Sequence, residues 1–191
     1  MALATQSISI LLLQAGAEKP YRQSAPIWEN RSPVAYGSAN TPIFLSDDFA
    51  SYVKVVRDIA QGSEFQKGTP LLDLSGQSPG IVFALNAEGL GHAWTIGGYK
   101  GSQKFVEAGL ALAPCEKIAR AWVLQETGGP RSLSIDLLSS FGAKFPDDYL
   151  EVGTWQTAPG AGGFASTRTQ SLWRPMNPIS TLQACNKLRT R

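Results

Sequence analysis

Histidine and cysteine are nearly missing from this chain of 191 residues, which holds one His and two Cys. One imidazole and two thiols fall short of the four ligands of a structural zinc site, and the carboxylates are scattered without ligand spacing, so no metal is expected. Charge is scarce as well. Asp, Glu, Lys and Arg make up 17% of the residues, and the net charge of +2 is too small to draw the chain to nucleic acid. The C-terminal Lys187, Arg189 and Arg191 read as a solvated helix end. No apolar run approaches the roughly 18 residues of a membrane span. The start Met1–Leu13 is uncharged and lacks the basic n-region of a signal peptide. No dinucleotide or Walker fingerprint calls for a cofactor, and none is expected.

Apolar residues make up 43% of the chain, beside 19 Gly and 12 Pro. That balance fits one compact, loop-rich domain with some length left for an arm or tail. Two readings of the apolar stub Ile8–Leu13 stay open: an ordinary strand or short helix of the fold, or the outer end of a membrane helix. Two readings of Cys115 and Cys185 also stay open. They are buried free thiols, or a disulfide that ties the tail to the body and implies an oxidising compartment.

Residues 14–40 are rich in Pro, Ser, Gly and Asn, with Tyr21, Trp28 and Tyr36 interspersed, and read as an irregular arm. Pro42–Leu45 is a short strand. Ser46 followed by Asp47 and Asp48 is a helix start, the hydroxyl accepting from first-turn amides and the carboxylates opposing the dipole. Phe49, Tyr52, Val53, Val56, Ile59 and Ala60 then recur at helical spacing, which predicts a helix over 46–61. Thr69–Leu74 reads as a buried strand, and 81–86 as a strand or a helical turn. A second helix starts at Ser102, a short turn covers 116–119, and Arg120–Gln125 is another buried strand. Leu133–Phe141 is a helix closed by Gly142, and Tyr149–Trp155 alternates as a strand does. Pro159–Gly163 reads as a flexible linker, and Asn177-Pro178 opens a C-terminal helix with Cys185 on its apolar face.

The expected fold is therefore α/β: a largely parallel central sheet flanked by helices, with an irregular N-terminal arm and a C-terminal docking helix. The expected divisions are an arm over 1–40, an α/β domain over 41–157, and a Gly-rich linker with its helix over 158–191.

One segment matches a catalytic motif. Gly76-Gln77-Ser78-Pro79-Gly80 fits the G-x-S-x-G nucleophile elbow, but the residue after Ser78 is Pro79, which has no N–H to give the oxyanion hole. His92 lies only 14 residues on, with no room for the acid that comes between serine and histidine in such hydrolases. A tight turn is the simpler reading. Asp73 is a different case. It ends a buried strand, and ligands of open α/β sheets bind beyond the strand C-termini. Asp73, Ser75, Gln77 and Ser78 are the candidate ligand residues there, with His92 as a neighbour or as a satisfied, partly buried histidine. Gly97–Ser102 leads into a helix start and offers a weak anion cradle, and Trp94 and Tyr99 a face for stacking on a sugar. The acidic pairs Asp47-Asp48 and Asp147-Asp148 are explained by a helix cap and a turn.

Asp73-Leu74-Ser75-Gly76, Pro79-Gly80, Gly97-Gly98-Tyr99, Gly101-Ser102, Ala121-Trp122-Val123, Phe141-Gly142, Phe145-Pro146 and Tyr149, with Ala93-Trp94 and the upstream Lys19–Gln23, together form a pattern. It resembles the C-terminal soluble domain of bacterial polytopic membrane proteins that are similar to glycosyltransferases using lipid-linked sugar donors. The resemblance covers about residues 18–155, and its motifs are structural. It implies a domain on the extracytoplasmic, periplasmic side of the cell membrane, in accord with a Cys115–Cys185 disulfide and an apolar N-terminal stub. It implies as partners the membrane part of the same polypeptide or complex, and a saccharide or lipid-linked sugar. The catalytic acid of such enzymes lies in their membrane part, so no catalytic residue carries over. The expectation is a non-catalytic accessory domain that shapes acceptor or partner binding. The alternative is a free-standing α/β protein that binds or acts on a small ligand through the Asp73–Ser78 loop and His92.

Overall fold

A computed structural model describes residues 2–20, 25–37, 42–92 and 95–190. The element order is α1 (Ala2–Glu18), β1 (Ser32–Ala35), β2 (Pro42–Leu45), α2 (Asp47–Gly62), β3 (Pro70–Asp73), α3 (Pro79–Ala84), β4 (Glu88–Gly89), α4 (Ser102–Ala111), α5 (Cys115–Ala119), β5 (Trp122–Glu126), β6 (Tyr149–Gln156), β7 (Thr169–Pro175) and α6 (Pro178–Arg189). Single 3₁₀ stretches cover Ile27–Glu29, Ile135–Phe141 and Ala161–Gly163.

The main sheet has five strands in the order β4-β3-β5-β7-β6. β4, β3 and β5 run parallel, whereas β7 is antiparallel to both β5 and β6. The α/β class holds, but the sheet is mixed rather than largely parallel. The reason is β7. The chain leaves β6 through Pro159–Gly163 and returns directly as β7, and a return without a crossover helix can only pair antiparallel. The Gly-rich stretch is thus the corner before a sheet strand. Its turn is closed by Gly160 N donating to Phe164 O at 2.9 Å.

The arm departs from expectation too. Part of it is regular: α1 is a helix of 17 residues, and β1 pairs antiparallel with β2 in a separate two-stranded sheet. The side chain of Tyr36 fastens this hairpin to the body, its hydroxyl donating to Gly80 O at 2.5 Å while its ring lies 5.5 Å from that of Phe83. Tyr21 of the arm and the segment Tyr21-Arg22-Gln23 lie outside the described residues.

Alternation along the strands sorts side chains onto the two faces of the sheet. Leu72, Leu74 and Val123 face a core made with Val106 and Leu110 of α4, Ile118 of α5, and Leu137, Leu138 and Phe141. Leu71, Trp122, Leu124 and Leu172 face the other core, made with Tyr52, Val53, Val56 and Ala60 of α2 and Ile81 and Ala84 of α3. The helical spacing of the α2 residues accounts for that contact. The segment 81–86, open between strand and helix from sequence, belongs largely to α3, which Pro79 opens at a position where its missing N–H costs nothing. Ser46 precedes α2, but its hydroxyl makes no cap and no other hydrogen bond; its carbonyl alone accepts from Ala50. Asp47 and Asp48 in the first turn remain to oppose the dipole.

Cys115 at the start of α5 and Cys185 on α6 are bonded to each other, with Cα atoms 5.8 Å apart and a sequence separation of 70. Both are buried. The bond fixes α6 over the α4–α5 side of the sheet, where Gly142, at φ 83°, leaves room for Ala184.

Candidate functional site

By strand alternation Asp73 shares the face of Leu71, and Glu126 that of Leu124, so both carboxylates stand on the α2–α3 side at the C-terminal ends of adjacent parallel strands. The Asp73 carboxylate is closed in by its own loop. Oδ1 accepts from the backbone N–H of Ser75 at 2.9 Å and from its hydroxyl at 2.6 Å, and Oδ2 accepts from the N–H of Ser78 at 3.2 Å. Burial still wins over these bonds and raises its pKa from 3.8 to about 6, with the Glu126 charge adding to the rise. The chain can make this turn because Gly76 takes φ 70°. A β-carbon there would sit 1.9 Å from the carbonyl oxygen of Arg131. Gly97 packs as closely, its N–H donating to the same Arg131 oxygen at 2.8 Å. Two loops therefore cross backbone on backbone, which explains their glycines without a bound anion.

Glu126 is the centre of a second group. Oε1 accepts from Gln77 Nε2 at 2.5 Å and from Arg168 Nε at 2.8 Å, and Oε2 accepts from Gln170 Nε2 at 2.9 Å. Gln170 Nε2 also lies 2.8 Å from Ser78 Oγ, and Gln170 Oε1 accepts from the Tyr52 hydroxyl at 2.6 Å and from Trp155 Nε1 at 3.2 Å. Sheet register produces this arrangement: Gln170 is the cross-strand partner of Glu126 on one side and of Trp155 on the other. Burial pushes the Tyr52 phenol well above its ordinary value. Each buried polar group here is costly alone and tolerable only within the network.

Arg168 completes the group. Its Nη1 donates to Ser166 O at 2.8 Å and its Nη2 to Ala161 O at 2.7 Å, and the Phe164 ring lies 5.0 Å from the guanidinium carbon. The guanidinium thus ties the 161–168 corner to the end of β5. Beside it opens a cavity of about 230 Å³ between α2, α3, the hairpin and this corner. Gln77, Ser78, Tyr52 and Arg168 line its polar end, and Leu45, Phe49 and Ile81 are among its apolar walls. A second cleft of about 440 Å³ lies between β1 and α2. Its charges are taken up within the chain, Lys54 by Asp58 at 2.6 Å and Arg57 by Ala35 O at 2.6 Å.

Of the residues singled out from sequence, the structure gathers Asp73, Ser75, Gln77 and Ser78 in one loop. Ser78 is buried and bonded to Gln170, which is not the exposed serine of a nucleophile elbow. His92 is engaged elsewhere: its ring stacks on Phe105 of α4 at 4.2 Å and lies against Gly109. Tyr99 is half exposed. Among the described residues, no hydrogen bond joins either side chain to the Asp73 loop. Trp94 lies outside the described residues. No group of three or more potential metal-ligating side chains occurs among the described residues. Sequence reading missed Tyr52, Glu126, Arg168 and Gln170. A trace was present for Glu126, a carboxylate two residues after the apolar run Ala121–Leu124. No family model, curated protein or solved structure matches the chain.

Proposed function

We propose that this chain is a non-catalytic accessory domain of a membrane-bound protein, held at the extracytoplasmic face by α1. The observation that carries the reading is the surface of α1. Leu3, Ile8, Ile10, Leu11, Leu12 and Leu13 are all more than half exposed. At 100° per residue these six side chains point all round the axis, and no charge occurs before Glu18. A helix that carries apolar side chains on every side, with only the uncharged Thr5, Gln6, Ser7, Ser9 and Gln14 between them, suits an apolar layer better than a protein groove, which would need one stripe. No helix of the described residues is long and apolar enough to cross a membrane. The 17 residues of α1 reach about 26 Å, so it docks in or on the apolar layer as one part of the attachment.

Two further points support the reading. A disulfide between α5 and α6 suits an oxidising compartment. The candidate nucleophile Ser78 and the sole histidine are both engaged structurally, which favours a binding or positioning role. The resemblance of the Asp73–Gly76, Pro79-Gly80 and Gly97–Ser102 segments to soluble domains of membrane glycosyltransferases suggests a sugar-transferring parent. In that setting the domain would shape the site of a saccharide acceptor or a lipid-linked sugar.

Flotation with neutral phosphatidylcholine vesicles tests the attachment. The full chain is expected to float, and Leu11→Glu/Leu12→Glu to stay at the bottom, since a charge within the apolar layer costs about 3 kcal/mol. A wild-type chain that stays at the bottom overturns the reading.

A further inference from the structure

Gln77 holds an unmet acceptor at the cavity wall. It is more than nine-tenths buried, and its Oε1 has no hydrogen-bond partner. Its orientation is fixed by chemistry. The carboxylate of Glu126 only accepts, so the Gln77 amide must turn its NH₂ toward Glu126, and its carbonyl oxygen away. That oxygen lies where the cavity is lined by Gly162: a β-carbon at Gly162 would come within 2.7 Å of it. Gly162 takes φ 66°, a conformation that favours glycine, and its bare backbone packs against the oxygen, where any side chain would collide with it. A buried acceptor left unpaired is costly, and native structures rarely keep one without a use.

The rest of the cavity restricts what could meet it. Arg168 is neutralised by Glu126 and also spends Nη1 and Nη2 on carbonyls, so there is no free charge to hold an anion. The Ser78 and Tyr52 hydroxyls are engaged with Gln170. Leu45, Phe49, Val53 and Ile81 supply an apolar wall. A polyol would leave most of its hydroxyls unpaired against that wall. A dry cavity of about 150 Å³ admits benzene, so about 230 Å³ takes a substituted single ring.

We infer that the cavity between α2, α3 and the 161–168 corner is a binding site for a neutral, phenol-like ligand, its ring on the Phe49–Ile81 wall and its hydroxyl donating to Gln77 Oε1. The phenol belongs either to a free small molecule or to a tyrosine side chain of a peptide. The inference is independent of what α1 docks against.

The test is a titration of the full-length ¹⁵N-labelled chain with p-cresol, with toluene, and with a capped Gly-Tyr-Gly peptide, followed by NMR. p-Cresol is expected to shift the Gln77 side-chain NH₂ and the Ile81 and Gly162 amides saturably, with a Kd on the order of 1 mM or below. Toluene lacks the donor and is expected to bind about tenfold more weakly. In Gln77→Met, where Glu126 keeps Arg168 and Gln170, the preference for p-cresol over toluene is expected to vanish. Binding of p-cresol alone assigns a free small molecule, and binding of the peptide as well assigns a tyrosine side chain. Equal binding of p-cresol and toluene to the wild type, or no saturable shift at these groups, overturns the inference whether or not the variant folds.

Discussion

Removing the Cys115–Cys185 bond should cost this protein a large share of its stability. The bond closes a loop of about 70 residues that includes β5, β6 and β7, so its loss frees much of the unfolded chain. The chain-entropy relation gives about 15 cal/mol/K for that loop length, or about 4.4 kcal/mol at 25 °C. Both sulfurs are buried against the α4–α5 core, so replacement by alanine adds a small packing loss. For a protein of this size, 1 kcal/mol moves Tm by about 2–4 °C, which puts the expected fall at about 9–18 °C. The assay is thermal unfolding followed by near-ultraviolet circular dichroism, comparing the wild type with Cys115→Ala/Cys185→Ala. The wild type in dithiothreitol should approach the variant. A fall of under about 3 °C in both would refute the reasoning, because it would mean α6 is held by packing alone.

Two further outcomes follow from the buried polar groups. The folded pKa of Asp73 is raised to about 6 from an ordinary 3.8, so the folded state binds more protons between these values. The stability from its protonation is therefore fully present below about pH 4 and lost as pH rises through about 6. The shift of about two pH units corresponds to about 3 kcal/mol. Urea unfolding at several pH values should show the wild type losing stability relative to Asp73→Asn over that window, and a flat difference would contradict the burial argument. Glu126→Ala leaves Arg168 without its carboxylate, Gln77 without an acceptor and Gln170 with Ser78 Oγ alone, and is expected to cost about 3–5 kcal/mol in the same assay. A loss below about 1 kcal/mol would show that water replaces the carboxylate readily.

Local periodicity carried much of the fold. Tyr52, Val53, Val56 and Ala60 mark α2 because one helix face packs on one sheet face, and that pattern is written within a single segment. β7 has no such mark: Gln170, Ser171 and Arg174 break its apolar pattern, and only pairing with β5 and β6 makes it a strand. β2 was legible as the short apolar run Pro42–Leu45, but its partner β1, which carries Pro33, lies within the stretch read as an irregular arm, and only the pairing makes it a strand. At the site, Asp73, Ser75, Gln77 and Ser78 were legible because they are neighbours in sequence at the end of a buried strand. Tyr52 and Gln170 are 118 residues apart, and Gln77 and Glu126 are 49 apart. Register and strand order bring them together, and neither is a local property.

Hydrogen–deuterium exchange of the full chain, with and without phosphatidylcholine vesicles, tests most directly the claim that α1 is the membrane attachment. A helix of this length with little packed against it is marginal in water, so its amides should exchange fast in buffer. On vesicles, Leu3–Leu13 should gain at least about tenfold protection while β3, β5 and β7 stay unchanged, because hydrocarbon leaves no water to open the helix bonds. Unchanged exchange in α1 on vesicles would contradict the account, as would new protection confined to another face of the domain.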